Sequence, residues 1–114
     1  MSAADARHPS DEDRARETAP LVAEAAAALA AGDRVRLLAV LREDVTWIGP
    51  AGARTGPAEA TAAMLASVAG AHAWRPPVQV GATAVLGFSV AGSPRVVVLT
   101  VRRDGVVIAA GAAD

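Results

Sequence analysis

Asp44 and His72 are the side chains of this 114-residue sequence best placed to move a proton. Asp44 lies in E-D-V-T-W and is either an acid at the mouth of a pocket or a carboxylate in a helix-to-strand turn. His72 lies in H-A-W-R, where an imidazole serves as acid or base, or simply ends a strand in solvent. His8, the other histidine, sits in a stretch with few large apolar groups and carries no chemistry. Two distant histidines and scattered carboxylates offer no metal-ligand spacing, so no metal is expected. Ser67, Ser89 and Ser93 lack the G-x-S-x-G elbow of a nucleophile, and no glycine-rich stretch ends in the Gly-Lys-Ser/Thr of a phosphate loop. The chain has neither cysteine nor lysine, which excludes thiol catalysis, thiolate zinc sites and Schiff-base or pyridoxal phosphate chemistry. No cofactor is expected.

The remaining functional candidates bind rather than react. Trp47, Trp74 and Phe88 are either core residues or the walls of an apolar pocket. Arg54, Arg75 and Arg102 are either solvated or positioned for a ligand carboxylate, and strand alternation points Arg102 rather than Arg103 inward. Eleven basic residues, all arginine, face twelve acidic ones with no basic run, and aromatics make up only 3%. Nucleic acid is therefore disfavoured. The absence of lysine and asparagine beside abundant alanine and arginine matches the codon bias of a GC-rich bacterial genome.

Elements must position these groups. A hydrophobic content of 53% against 20% charge gives one globular domain with a real core. Residues 1–17 alternate charges and read as a flexible arm, helical after Ser10 if S-D-E-D caps it. Residues 18–114 read as the domain. Thr18 is the expected cap of a first helix ending at Gly32, with Leu21, Val22, Ala25, Ala26 and Leu29 on its apolar stripe. Asp33 caps a short second helix through Leu41. Val45–Ile48 reads as a strand, G-P-A-G-A-R-T-G-P as a loop, and Pro57 opens a third helix ending at Gly70. Four strand runs follow, at about 72–81, 83–91, 95–103 and 105–112. Asp104-Gly105 is a strong hairpin signal, while Pro76 and Pro77 make the first run an edge or a bulge. No apolar run approaches bilayer length and no signal peptide is present, which reads as a cytoplasmic protein. The class is α+β.

The segments A-A-A-L-A-A-G-D at 26–33, L-L-A-V-L-R-E-D-V-T-W at 37–47, G-P-A-E-A-T at 56–61 and the strands beyond resemble the NTF2-like superfamily, which includes SnoaL-like proteins and ketosteroid isomerases. The resemblance spans about residues 18–112. It implies a cone: three helices packed on a curved, mainly antiparallel sheet, with a pocket at the open end. V-G-A-T-A-V-L-G-F and V-V-V-L-T-V-R-R-D-G-V-V also resemble the NTF2-like domain of extracytoplasmic-function sigma factors. Carried onto this chain, the isomerase base falls at Gly49, its enolate-binding tyrosine near Ala25, and the partner acid among Val98, Leu99 and Thr100. None of these side chains can do the work, since enolisation needs a base and an oxyanion donor.

Three functions compete. One is a non-catalytic domain binding a small apolar or weakly anionic ligand through Trp47, Arg54, Trp74, Phe88 and Arg102. The second is a SnoaL-like isomerase, cyclase or hydrolase-dehydratase using Asp44 or His72. The third is a regulatory module of the sigma-factor-associated kind. Val96–Val101 and Val106–Ile108 are apolar on both faces, so a homodimer through the outer sheet face is expected.

Overall fold

The computed structural model describes residues 11–113. They form α1 (Asp11–Ala31), α2 (Arg34–Val40), β1 (Leu41–Gly49), β2 (Gly52–Thr55), α3 (Pro57–Ser67), β3 (Ala71–His72), β4 (Val78–Val80), β5 (Thr83–Val90), β6 (Ser93–Arg102) and β7 (Gly105–Ala113). The strands make one seven-stranded sheet in the order β2-β1-β7-β6-β5-β3, with β4 also paired to β5. All pairings are antiparallel except β1 with β7. The α+β class expected from the pattern is the one observed.

The first helix begins at Asp11, so residues 11–17 are helical and only 1–10 of the expected arm lie outside the described residues. Arg16 pairs with Asp13 one turn earlier. Thr18 is therefore not a cap. It is buried in mid-helix, where its Oγ1 accepts a hydrogen bond from Gln79 Nε2 of β4. Gly32, at φ 64°, ends α1: the Gly32 N–H donates to Leu29 O and the Asp33 N–H to Ala28 O, a Schellman closure that satisfies the last carbonyls. Asp33 then caps α2 through Oδ1, which accepts from the Arg36 N–H. Arg36 also reaches back to α1, its Nε and Nη2 donating to the Glu24 carboxylate at 2.8 and 3.1 Å. That fork holds the Glu24 carboxyl below, and the Arg36 guanidinium above, its ordinary pKa. Both side chains stand in water, so the pair orients α2 more than it stabilises it.

Leu41, expected in the second helix, instead opens β1, which is longer than the expected Val45–Ile48. Its extension follows from pairing: Leu41 lies beside Val106 of β7, and an irregularity separates that contact from the ladder at Thr46–Ile48. The expected loop after Gly49 contains β2, which folds back on β1 as an edge hairpin. The run at 72–81 is broken into β3 and β4, as two prolines and Ala73 at φ 54° interrupt the ladder. Arg102 and Gly105 pair across the β6–β7 turn, where the Asp-Gly signal placed it.

Strand alternation gives the sheet two unlike faces. Trp47, Ala109, Leu99 and Ala84 sit in register on the inner face, all buried. Ala25 and Ala28 of α1 are fully buried with them, because a methyl group lets the helix approach closely. On the outer face Ile48, Ala110, Val98, Val85 and Val78 are likewise in register, and Ile48 and Val78 remain exposed. Among the described residues no helix is long and apolar enough to cross a membrane.

Thr61 of α3 is fully buried, and its hydroxyl has no hydrogen-bond partner among the described residues. An unpaired buried hydroxyl costs roughly 1–3 kcal/mol, whereas an apolar group of the same shape costs nothing of the kind. Thr61→Val is expected to raise stability by about 1 kcal/mol. The check is a higher urea midpoint at unchanged slope.

Candidate functional site

Two glycines decide where the Trp47 ring goes. A Cβ on Gly49 would stand 2.7 Å from the indole Nε1, and a Cβ on Gly111 would stand 2.7 Å from Cη2. The indole thus lies flat over the backbones of β1 and β7 in the space two side chains would fill, and Trp47 is only 5% exposed. It forms a wall shared by two adjoining concavities, together with Pro50 and Ser67. The smaller, about 200 Å³, adds Phe88, Arg95, Val97 and Gly111. The larger, about 470 Å³, is more open and adds Gly49, Arg54, Glu59 and the alanines of α3.

Polar groups are few here. Ser67 Oγ donates to the Met64 carbonyl one turn back at 2.7 Å. Arg54, at the rim, pairs loosely with Glu59 at 3.5 Å, and both are largely solvated. The Trp47 Nε1–H has no acceptor among the described residues. Phe88 is buried and is braced from behind by Trp74, with ring centroids 4.6 Å apart and planes at 28°. Trp74 thus supports the wall and lines a separate hollow between the ends of α1 and α3.

The other candidates lie elsewhere. Asp44 is exposed near the start of β1 and accepts from Arg42 Nε at 3.1 Å, while Arg42 also bridges to Asp104 at 3.1 Å. His72 is exposed on β3, across the sheet from β1. The fold therefore keeps the two proton-transfer candidates on opposite sides of the sheet. Arg102 is exposed in a groove beside Glu17 and Arg103, at the end of β6 away from Trp47. The inward positions of β6 are Val97, Leu99 and Val101, an unbroken alternation whose phase turns Arg102 outward, against the expectation that it points inward. Arg75 lies on the outer face, its guanidinium against Gly87. Among the described residues no group of three or more His, Cys, Asp or Glu could hold a metal ion.

No family model matches the chain, and no curated protein matches it. Solved structures do. An NTF2-like protein from Burkholderia xenovorans is 28% identical, covers 87% of this chain and 90% of its own, and superposes with a TM-score of 0.61. TerC co-crystallised with polyporic acid is 18% identical over 86% of this chain and 92% of its own, at a TM-score of 0.67. A protein from Catenulispora acidiphila with a ketosteroid isomerase-like fold, in complex with trimethylamine, is 18% identical over 81% and 83%, at 0.55. Others are described as SnoaL-like and cystatin-like. The fold is NTF2-like.

Gly49, onto which the resemblance carried the isomerase base, is covered by the Trp47 indole. Ala25, where it put the tyrosine, is sealed in the core, as is Leu99 among the positions it offered for the acid. The arrangement offers apolar walls, guanidinium groups and an indole N–H without an acceptor among the described residues, and the carboxylate at its rim, Glu59, pairs with Arg54. Sequence reasoning missed Pro50, Ser67 and Arg95. Arg95 was legible in principle, as it continues the inward series Val97, Leu99 and Val101 along β6.

Trp47→Ala is expected to cost roughly 3–5 kcal/mol, as for other buried aromatic truncations. Gly111→Ala should cost about 1–3 kcal/mol, the usual range for forcing extra volume into a filled site. In a Trp47→Phe background that cost should largely vanish, since a phenyl ring does not reach Cη2. A double-mutant cycle from denaturation midpoints checks this, and additive losses would show that the ring and Gly111 do not compete for the same space.

Proposed function

We propose that the chain is a non-catalytic NTF2-like binding domain that takes a small, mainly apolar molecule into the concavity beside Trp47. The observation that carries this reading is the position of the indole: it supplies a flat apolar wall at the place where an isomerase needs its base. Separation of Asp44 from His72, with Asp44 held in an exposed ion pair, weighs against the enzyme reading. The TerC and Catenulispora structures hold an acid and an amine respectively, which supports small-molecule binding as a use of this fold but leaves the charge of the ligand to each chain's own side chains. Pro50, Phe88 and Val97 add apolar surface, and Trp74 stiffens it from behind.

The two tryptophans give two indole N–H resonances. On titration with the neutral fluorophore phenylnaphthylamine, the Trp47 resonance is expected to shift saturably while thermal stability rises. A Trp47 resonance unmoved by this probe and by a panel of apolar ring compounds would defeat the reading.

The outer face supports a second part of the proposal, a homodimer. The registered row Ile48–Ala110–Val98–Val85–Val78 runs across five strands, and Val78, Val80, Ile48 and Ile108 are 63, 67, 49 and 40% exposed. A continuous apolar face of this extent belongs under a partner, and a second copy presents the same face about a two-fold axis. Such an interface would bury on the order of 1,200–2,000 Å² in total. Sedimentation is expected to show a dimer at micromolar concentration, shifted to monomer by Val98→Glu. A monomeric parent would overturn it.

A further inference from the structure

We infer that Arg95 is the anion-recognising residue of the Trp47 concavity, which therefore takes a flat apolar molecule bearing one negatively charged group. This rests on the binding reading above and goes beyond it by naming the charge of the ligand and the residue that reads it.

Register puts Arg95 on the same face of β6 as the buried series. It is the cross-strand partner of Phe88, and the positions that alternate with it along β6 are Val97, Leu99 and Val101, each no more than 1% exposed. An arginine in an otherwise apolar inward series has no packing purpose that leucine or valine would not serve better. It lines the same cavity as Trp47, Phe88 and Ser67.

Charge pairing separates it from the other guanidinium nearby. Arg16, Arg36, Arg42, Arg54 and Arg103 each pair with a carboxylate. Arg95 has no such partner among the described residues, and Arg54, the other arginine at the concavity, is engaged by Glu59.

The donor balance points the same way. Around the smaller cavity stand a planar guanidinium with five N–H donors and the unengaged Trp47 Nε1–H, while the Ser67 hydroxyl spends its proton on Met64 O. Donors outnumber side-chain acceptors, so a carboxylate or sulfonate is matched and an ammonium group is refused. The Arg95 side chain is exposed in the structure, which leaves it free to close on the charged end of a ligand whose ring lies against Trp47 and Phe88.

The test compares two probes with one ring system: anilinonaphthalene sulfonate, an anion, and phenylnaphthylamine, its neutral counterpart. Dissociation constants come from fluorescence titration of the full chain, and the Trp47 indole resonance reports whether each probe occupies this site. The parent is expected to bind the sulfonate more tightly than the neutral probe. Arg95→Gln should weaken the sulfonate about tenfold or more, the usual loss for a charge-assisted hydrogen bond, and leave the neutral probe unchanged. Arg95→Lys should restore part of the difference, and Arg54→Gln should leave it intact. Equal loss of both probes in Arg95→Gln would make the residue structural and overturn the inference. So would an anion preference that survives Arg95→Gln or disappears in Arg54→Gln. If the neutral probe shifts Trp47 in the parent and the sulfonate does not, the concavity stands but its charge assignment falls. If neither probe shifts Trp47, the binding reading itself fails, and this inference with it.

Discussion

The stacking of one indole across two strand backbones organises the functional end of this molecule. Trp47 can lie flat on β1 and β7 only because Gly49 and Gly111 present no side chains, and each glycine is tolerable in a strand because the ring covers the backbone it exposes. Ring and glycines form one unit assembled from two strands distant in sequence and joined in parallel. Once the ring is placed, the remaining geometry follows. Pro50 and Ser67 meet its edges, Phe88 and Val97 complete the wall, and the hollow left over is small and apolar. A larger side chain at position 49, acid or otherwise, would expel the indole and reopen the space.

On the binding reading proposed above, bulk stands where the catalytic use of this architecture needs chemistry. Proton abstraction next to a carbonyl needs a base within hydrogen-bond reach and a donor at the developing oxyanion. The positions onto which the resemblance carries those groups are a glycine under a tryptophan and an alanine sealed in the helix–sheet interface. The charged residues that do exist are mostly committed to one another at the surface: Arg42 between Asp44 and Asp104, Arg36 on Glu24, Arg54 on Glu59. Such exposed pairs contribute little stability. They neutralise charge, whereas Arg95 has no carboxylate partner among the described residues and lines the cavity beside Trp47.

The sheet divides the labour. Its inner face is closed by α1 and α3, where alanines at 25, 28 and 60 permit close approach. Its outer face carries a registered apolar row over five strands, with Ile48 and Val78 exposed among the described residues. A chain of this length buries only about two thirds of the surface its unfolded form exposes, so covering that face with a second copy would add materially to a modest core.

Local chemistry was legible in the sequence because it acts over a few residues. Gly32 and Asp33 ended one helix and capped the next, Pro57 opened α3, Asp104-Gly105 turned β6 into β7, and the change from helical to alternating period gave the α+β class. Resemblance of short segments added the NTF2-like cone. The errors were also local: Thr18 read as a cap although helix-favouring residues precede it, and Leu41 read as helical although β7 draws it into the sheet. What the chain alone could not reveal is pairing between distant strands. Alternation shows that β6 has two faces, but which face is inward is decided by the helices packed on it, and that choice, with Val97, Leu99 and Val101 inside, turned Arg102 outward. The seat of Trp47 depends on Gly111, more than sixty residues away, and no propensity encodes that contact. Pairing across such distances is set by the burial of the whole sheet, which is why the elements could be read from the sequence and the site had to be read from the fold.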